Sequence, residues 1–574
     1  MLRLTEIKLP LDHAPDAVRA AAATVLGIEP VAIQQLDLFK RSFDARKAEL
    51  LVVYTVDLEL ADPAQEAALL AGAAGNPRIA RTPDMRWQPP VPNQAGSRLR
   101  PVVVGFGPCG IFAALTLAQL GLRPIVLERG RDVRLRTRDT WGLWRRGVLD
   151  PESNVQFGEG GAGTFSDGKL YSQIRDPRWL GRKVMNEFVA AGAPPEILVT
   201  AHPHIGTFKL VKVVERLRAQ IHALGGEVRF EQRVTDLIVE DGALRGLLVQ
   251  DRNSGAVESL RTDQVVMALG HSARDTFEML HARGVAMVAK PFSIGFRIEH
   301  PQSLIDRARW GRHAGHPALG AADYKLVHHV DSGAGAGRSV YSFCMCPGGT
   351  VVAATSEAGR VATNGMSQYS RNERNANAAI VVGIEPADFA GIAAAAETPA
   401  CPATAGSAVH PLAGIALQRV LESRAFELGG GDYRAPGQRV GDFLAGRAST
   451  GWGAIQPSYQ PGVRPIDLAG LLPDYAIAAI RSALPIFGRQ IKGFDADDAV
   501  LTAVETRTSS PLRIARGEAD LQSPTVRGLY PAGEGAGYAG GILSAGVDGI
   551  RVAEALATAA PAVAKHARPV AFSP

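Results

Sequence analysis

Cysteine is scarce, with Cys109, Cys344, Cys346 and Cys401 the only four in a chain of 574 residues. That excludes a disulfide framework and points to a reducing compartment. No run reaches the roughly 18 apolar residues of a spanning helix, so no membrane span is expected. Met1 to His13 mix Arg3, Glu6 and Lys8 with apolar residues and lack the continuous apolar core of a secretory signal. The expected location is the cytoplasm. Lys and Arg form no basic stripe and the net charge is only +5, which argues against nucleic acid as a partner. His202-Pro203-His204 and His328-His329 have no cysteine or carboxylate at ligand spacing, so no metal site is expected. No Ser-His-Asp or paired-carboxylate arrangement is legible, and no internal repeat of fixed period.

Glycine, by contrast, is plentiful at 62 residues, and it clusters. With 46% hydrophobic and 21% charged residues the composition is that of an ordinary globular protein, and the length implies about two to four domains. Residues 1–75 read as a small βαββ module: strand 2–9, helix 14–26 ending at Gly27, strands 36–41 and 50–60. Residues 76–99, with Pro77, Pro83, Pro89, Pro90 and Pro92, read as an extended linker. From Arg100 apolar strands alternate with helices, the sign of an α/β sheet. A helix at 207–224 precedes short strands at 228–230, 234–239, 244–251, 257–260 and 265–269, read together as a β-meander. The expected architecture is α/β: a Rossmann-like domain in two pieces, 100–290 and 496–560, around an inserted α+β cap or substrate domain at 291–495. The cap should contain strands at 292–298 and 340–346, the second turning at Pro347-Gly348-Gly349 into 350–354. Residues 393–406 are low-complexity and read as a surface segment, and 561–574 as a tail.

Pro101-Val102-Val103-Val104-Gly105-Phe106-Gly107-Pro108-Cys109-Gly110 runs from a buried strand into G-x-G-x-x-G. An apolar helix at 111–120 stops at Gly121, and a second strand at 124–127 ends in Glu128. Gly105 supplies the tight turn, Gly107 lets backbone approach a pyrophosphate, and Gly110 lets helix pack on strand. The helix N-terminus offers free N–H groups and the positive end of its dipole. Glu128 follows at the spacing of about 20 residues that sets an acid on the adenosine ribose hydroxyls, which favours FAD or NAD over NADP.

Far along the chain, Gly528-Leu529-Tyr530-Pro531-Ala532-Gly533-Glu534-Gly535-Ala536-Gly537-Tyr538-Ala539-Gly540-Gly541-Ile542 repeats the theme of strand, acid and glycine-rich helix entry. It resembles the second flavin fingerprint of FAD-dependent oxidoreductases, with Glu534 where Asp is commoner. The resemblance implies that Glu534 meets the ribityl chain and that the following helix faces the pyrimidine end of the ring. Val265-Val266-Met267-Ala268-Leu269-Gly270 resembles the apolar strand that leads out to a cap domain. Gly158-Glu159-Gly160-Gly161-Ala162-Gly163-Thr164-Phe165-Ser166-Asp167-Gly168-Lys169 alone reads equally as a surface loop, and beside the other two as the loop wrapping diphosphate and ring.

Together residues 100–270 and 505–557 resemble the flavoprotein fold of glutathione-reductase-type and succinate-dehydrogenase-type FAD domains. Several phrases are similar to a family of bacterial and plastid FAD-dependent dehydrogenases: Lys40-Arg41-Ser42-Phe43-Asp44-Ala45-Arg46-Lys47, the loop 157–170, Phe343-Cys344-Met345-Cys346-Pro347-Gly348-Gly349, residues 451–461, and Glu505-Thr506-Arg507-Thr508-Ser509-Ser510-Pro511. The resemblance covers nearly the whole chain and carries no particular substrate with it. The cofactor contacts it implies are Gly105, Gly107, Pro108, Gly110, Glu128, Arg129, Gly161, Gly163, Thr164, Ser166, Val234, Gly270, Gly533, Glu534, Gly541 and Ile542.

The expected activity is that of an FAD-dependent oxidoreductase, a dehydrogenase or reductase, passing hydride or electrons between flavin and a small organic substrate. The flavin carries the chemistry and the protein supplies orientation and charge. No second G-x-G-x-x-G opens another βαβ unit, so NAD(P)H is at most a transient reductant, and a protein electron-transfer partner is the other source. A flavoprotein electron carrier and a flavin enzyme of tRNA modification are the alternative readings. Cys344 and Cys346, two apart in a strand, should share a face. They read as a thiol facing the flavin or, by preference, as two small buried hydrophobes. Arg507 reads equally as a partner for an anionic substrate or reduced flavin and as part of a loop whose hydroxyls cap local backbone. Lys169 is a further candidate for charge beside the ring.

Overall fold

The computed structural model describes residues 1–46, 49–93, 99–391 and 409–559; the segment read at 393–406, Cys401 and the tail lie outside them. β1 (Leu2–Pro10), α1 (Ala17–Leu26), β2 (Ile33–Asp44) and β3 (Leu51–Leu60) form the N-terminal module. Val18, Ala22 and Leu26 make the buried stripe of α1, and Gly27, at φ 65°, stops it. β3 sends Val52, Tyr54, Val56 and Leu58 into the same core. The start of the expected linker is structured: α2 (Pro63–Gly72), capped by Asp62, leads to β4 (Ile79–Arg81). The sheet order is β2-β3-β1-β4, so the module extends past residue 75. Arg41 ties β2 to the next domain through backbone hydrogen bonds with Val199 and Ala201.

The second domain starts with β5 (Val102–Val104), α3 (Pro108–Gln119), β6 (Ile125–Leu127), α4 (Val133–Arg146), α5 (Leu180–Ala190), α6 (Thr207–Ala223) and β7 (Glu227–Arg229). β8 (Gln232–Glu240), β9 (Ala243–Asp251) and β10 (Val257–Arg261) follow, then β11 (Val265–Met267), α7 (Arg274–Ala282) and β12 (Met287–Ala289). The five strands read as one meander therefore divide. Only β8, β9 and β10 form the antiparallel sheet, while β7 and β11 join the parallel one. Short apolar strands bounded by turns look alike in sequence, and pairing partner is what separates them.

The cap contains β13 (Phe292–Pro301), α8 (Gln302–Trp310), β14 (Val327–His329), β15 (Ser339–Cys346), β16 (Gly349–Ala353), β17 (Thr363–Ser367), β18 (Asn375–Ile384) and α9 (Pro386–Phe389). It continues through α10 (Ala413–Gly429), β19 (Ala435–Arg439), α11 (Val440–Leu444), β20 (Val463–Pro465), α12 (Asp474–Gln490) and β21 (Val500–Glu505). Its seven-stranded sheet runs β14-β15-β18-β13-β21-β19-β20. β21 lies between β13 and β19, so the insertion ends after Glu505 and not at 495. β16 leaves β15 and pairs with β17.

The chain returns through β22 (Leu512–Ile514), which pairs with outgoing β12, then β23 (Leu529–Pro531) and α13 (Ile542–Thr558). The parallel sheet is ordered β23-β11-β5-β6-β7. All its strands but the half-exposed edge strand β7 are buried on both faces: Val103, Val126 and Val266 pack under α3, α6 and α13, and Val102, Val104, Leu127 and Met267 under the meander and α7. α4 presents Leu143 and Trp144 to the cap core, with the Trp144 indole N–H donating to Ala353 O at 2.9 Å. No helix among the described residues is long and apolar enough to cross a membrane.

Candidate functional site

A cavity of about 610 Å³ opens where the C-terminal ends of the parallel strands meet the cap, the usual place for ligands in open α/β sheets. Backbone shapes its near wall. Gly105 turns at φ 96° with a side chain excluded by Ala268 O, 2.6 Å from where a Cβ would stand. A Cβ on Gly110 would collide with Gly105 O, so this glycine seats α3 on β5 and stays off the cavity surface. Gly161 approaches Gly107 so closely that its Cβ would lie 2.8 Å from Gly107 Cα, and a Cβ on Gly163 would lie 3.0 Å from Ile542. Three glycine-rich segments remote in sequence thus close on one another. α3 and α13 start at Gly107 and Gly541 with no side-chain cap, leaving their first N–H groups for a ligand.

Two structural devices hold these turns. Arg136 of α4 is fully buried and donates to the carbonyls of Asn154 (2.8 Å), Val155 (2.7 Å), Glu159 (2.6 Å) and Gly161 (2.9 Å). Burial lowers its pKa to about 10. Asp548 of α13 accepts from Gly533 N–H at 2.8 Å and pairs with both terminal nitrogens of Arg516. Gly533 itself faces Cys109, not the cavity.

Glu128 and Glu534 line the same cavity. One Glu128 oxygen accepts from Gly130 and Gly158 N–H, both at 2.9 Å, and the other from Phe106 N–H at 2.8 Å. The carboxylate therefore pins the first glycine turn to the third and keeps limited capacity for a ligand hydroxyl. Arg129 lines the cavity while paired with Glu152 at 2.7 Å and Asp275 at 2.6 Å, partners that hold its pKa above the ordinary range although burial opposes the charge. Val234 lies beside them in the wall. Burial raises Glu534 to about 7, against the pull of Lys290. Ser166 and Gly270 also line the cavity; Thr164 points away, its hydroxyl toward Glu159 O at 3.5 Å.

The cap supplies the far wall. β15 bulges between Phe343 and Cys346, and Cys344 sits at φ 41°. The strict alternation expected of a strand is therefore broken. Cys344 is exposed to the cavity yet enclosed by protein, and Cys346 is buried with its thiol near Cys344 O at 3.3 Å. Burial pushes the Cys344 thiol up to about 12, which outweighs nearby Lys169 and Arg297. Lys169 donates its ammonium to Met345 O. Burial opposes its charge, but its acidic surroundings, Asp167 among them, leave the pKa raised. Arg507 reaches the cavity surface but is fully engaged: Nε and Nη2 pair with Glu422 at 3.0 and 2.9 Å, and Nη1 donates to Ser272 and Ser356. Arg274 pairs with the same Glu422, whose pKa both guanidiniums hold well down in spite of burial. His271, beside this pair, is depressed to about 3 by burial and by the two arginines.

Sequence reasoning missed Arg136, Glu422 and the cap residues Tyr324, Tyr341 and Asn364. An arginine in an amphipathic helix reads as surface, and the cap tyrosines belong to no motif. Among the described residues no group of His, Cys, Asp and Glu could hold a metal ion.

The family model described as "FAD binding domain" matches residues 186–296, "FAD-dependent protein, C-terminal domain-like" matches 291–508, and a domain of unknown function matches 1–59. An uncharacterised protein of Clostridium beijerinckii is 44% identical over 554 residues, 96% of this chain and 98% of its own. Digeranylgeranylglycerophospholipid reductase 2 of Methanococcoides burtonii is 30% identical over 151 residues, 25% of this chain and 32% of its own. A geranylgeranyl bacteriochlorophyll reductase-like structure from Thermoplasma acidophilum has a TM-score of 0.33 at 12% identity, covering 80% of this chain and 77% of that one. The glycine cradle, its two uncapped helix N-termini and its pair of acids suit a bound dinucleotide, and by the two FAD family models and the full-length relative the chain belongs to a family of FAD-dependent proteins.

Proposed function

We propose that the protein passes hydride or electrons between FAD and a small organic substrate held where the glycine cradle meets the cap. The observation that carries this reading is the continuity of one cavity from Glu128 to Cys344 and Lys169. Gly105, Gly107, Pro108, Gly161 and Gly163 would hold the diphosphate with the α3 N-terminus, while Gly110, Gly533 and Thr164 shape the turns from behind. Glu128, Arg129 and Val234 would take the adenosine end. Ser166, Gly270, Glu534, Gly541 and Ile542 would take the ribityl chain and ring, and the α13 N-terminus would stabilise negative charge there. Bound FAD would supply the redox chemistry. The residues of this chain orient it, exclude water and set the charge beside it. Lys169 and Cys344 would face the substrate, and Arg507 would act by fixing the loop around His271.

The test is the visible spectrum of purified protein, followed by anaerobic reduction with NADH and NADPH in turn. A flavin spectrum that bleaches with a small-molecule reductant is expected. Correctly folded protein that stays colourless and takes up no added FAD would sink the reading.

A further inference from the structure

At the cap end of the cavity Lys169 makes no direct ion pair with a carboxylate among the described residues. Its ammonium donates to the Met345 carbonyl and, among the described residues, to nothing else. Of the nearby acids, Asp167 pairs with Arg371, while Asp323 contacts the His202 ring at 3.3 Å. An ammonium has three donors, so two remain for a ligand; Asp167 acts on the charge only from beyond ion-pair distance. The groups suited to a diphosphate, the glycine turns and two free helix N-termini, lie in the opposite wall.

Around Lys169 the wall is aromatic. Tyr171, Tyr324, Tyr341 and Phe343 line the cavity, so three of the chain's ten tyrosines contribute to one wall in a protein only 6% aromatic. The Tyr324 hydroxyl is buried without a partner among the described residues. Aromatic side chains and a cation lining one end of a cavity match a conjugated ligand bearing one acid group.

We propose that the substrate is an aromatic or similarly conjugated carboxylate, with its acid group received by Lys169. This rests on the flavin reading above. The raised pKa of Lys169 keeps it charged at neutral pH, as the role requires.

The experiment titrates the flavin-loaded protein with benzoate, benzamide and propionate, following the visible flavin bands. Benzoate should bind on the order of 10- to 100-fold more tightly than either of the others, the ratio that a charge-assisted hydrogen bond and a ring contact supply. Lys169→Met should bring benzoate down to the level of benzamide, while Lys169→Arg keeps most of the preference. Equal binding of benzoate and benzamide by the unmodified holoprotein would overturn the proposal, as would Lys169→Met with benzoate affinity unchanged. In the latter case an altered flavin midpoint potential would assign the lysine to the ring instead. Should the variants fail to accumulate, the benzoate-to-benzamide ratio of the unmodified protein decides alone. A colourless protein sinks the flavin reading itself, whereas a yellow one without the preference sinks only the acid.

Discussion

Gly161 combines φ 57° with an approach to Gly107 that leaves no space for a methyl group. Gly161→Ala would add about 1–2 kcal/mol of left-handed strain and push the first and third glycine segments apart. We expect this variant to emerge from gel filtration largely stripped of flavin with its far-UV circular dichroism intact; full retention would show that the two turns do not grip the cofactor jointly. Glu422 poses the opposite case, one carboxylate neutralising two buried guanidiniums. Glu422→Gln leaves Arg507 without a counter-charge and Arg274 with Glu357 alone, and should cost about 3–5 kcal/mol in chemical denaturation. The first of these residues was legible because a glycine motif is local. The second was not, since Glu422 on α10 meets Arg274 and Arg507 only across the domain junction.

Among the elements, α4 acts as the clamp for the loop 154–161. Its Arg136 donates to five carbonyls, that of Gly158 at 3.4 Å included, which a lysine, with three donors and no fork, cannot serve together. Arg136→Met should lower unfolding free energy by at least about 3 kcal/mol, since each lost charge-assisted bond strands a buried carbonyl. Urea denaturation reads the loss, and Arg136→Lys should fall between the two. The strand–turn–helix units at β5–α3 and β23–α13 were readable from spacing alone, because apolar run, glycine turn and helix follow in order. The five-strand meander was not, because β7 and β11 differ from their neighbours only in what they pair with. β4 and β21 were hidden for other reasons: one was masked by prolines nearby, the other by the charged motif that follows it.

For the whole molecule, buried titratable groups set a pH window. Glu534 and Glu505 are raised to about 7 and about 6, both chiefly by burial. Neutral in the folded state and ionised when unfolded, they make the protein lose stability as pH rises from about 4.5 to 7. His271 and His300 are depressed to about 3 and about 4 by burial, so their neutral forms are favoured by folding, and stability falls as pH drops below about 6.5. Flavin-free protein should therefore show its highest melting temperature between about pH 5 and 6.5. Glu534→Gln should flatten the decline toward pH 8, by at most about 3 kcal/mol. A melting temperature that climbs steadily to pH 8 would contradict this.

The position of β21 has a consequence for how the molecule is born. β13 leaves the ribosome some two hundred residues before the strand that lies beside it, an interval of about 10 to 40 s at ordinary elongation rates. Until then the nascent cap carries an open, apolar strand edge. The parallel sheet likewise waits for β23, some two hundred and sixty residues after β11. Neither half can finish first, and a chaperone that shelters unpaired strands is the kind of help such a chain would need.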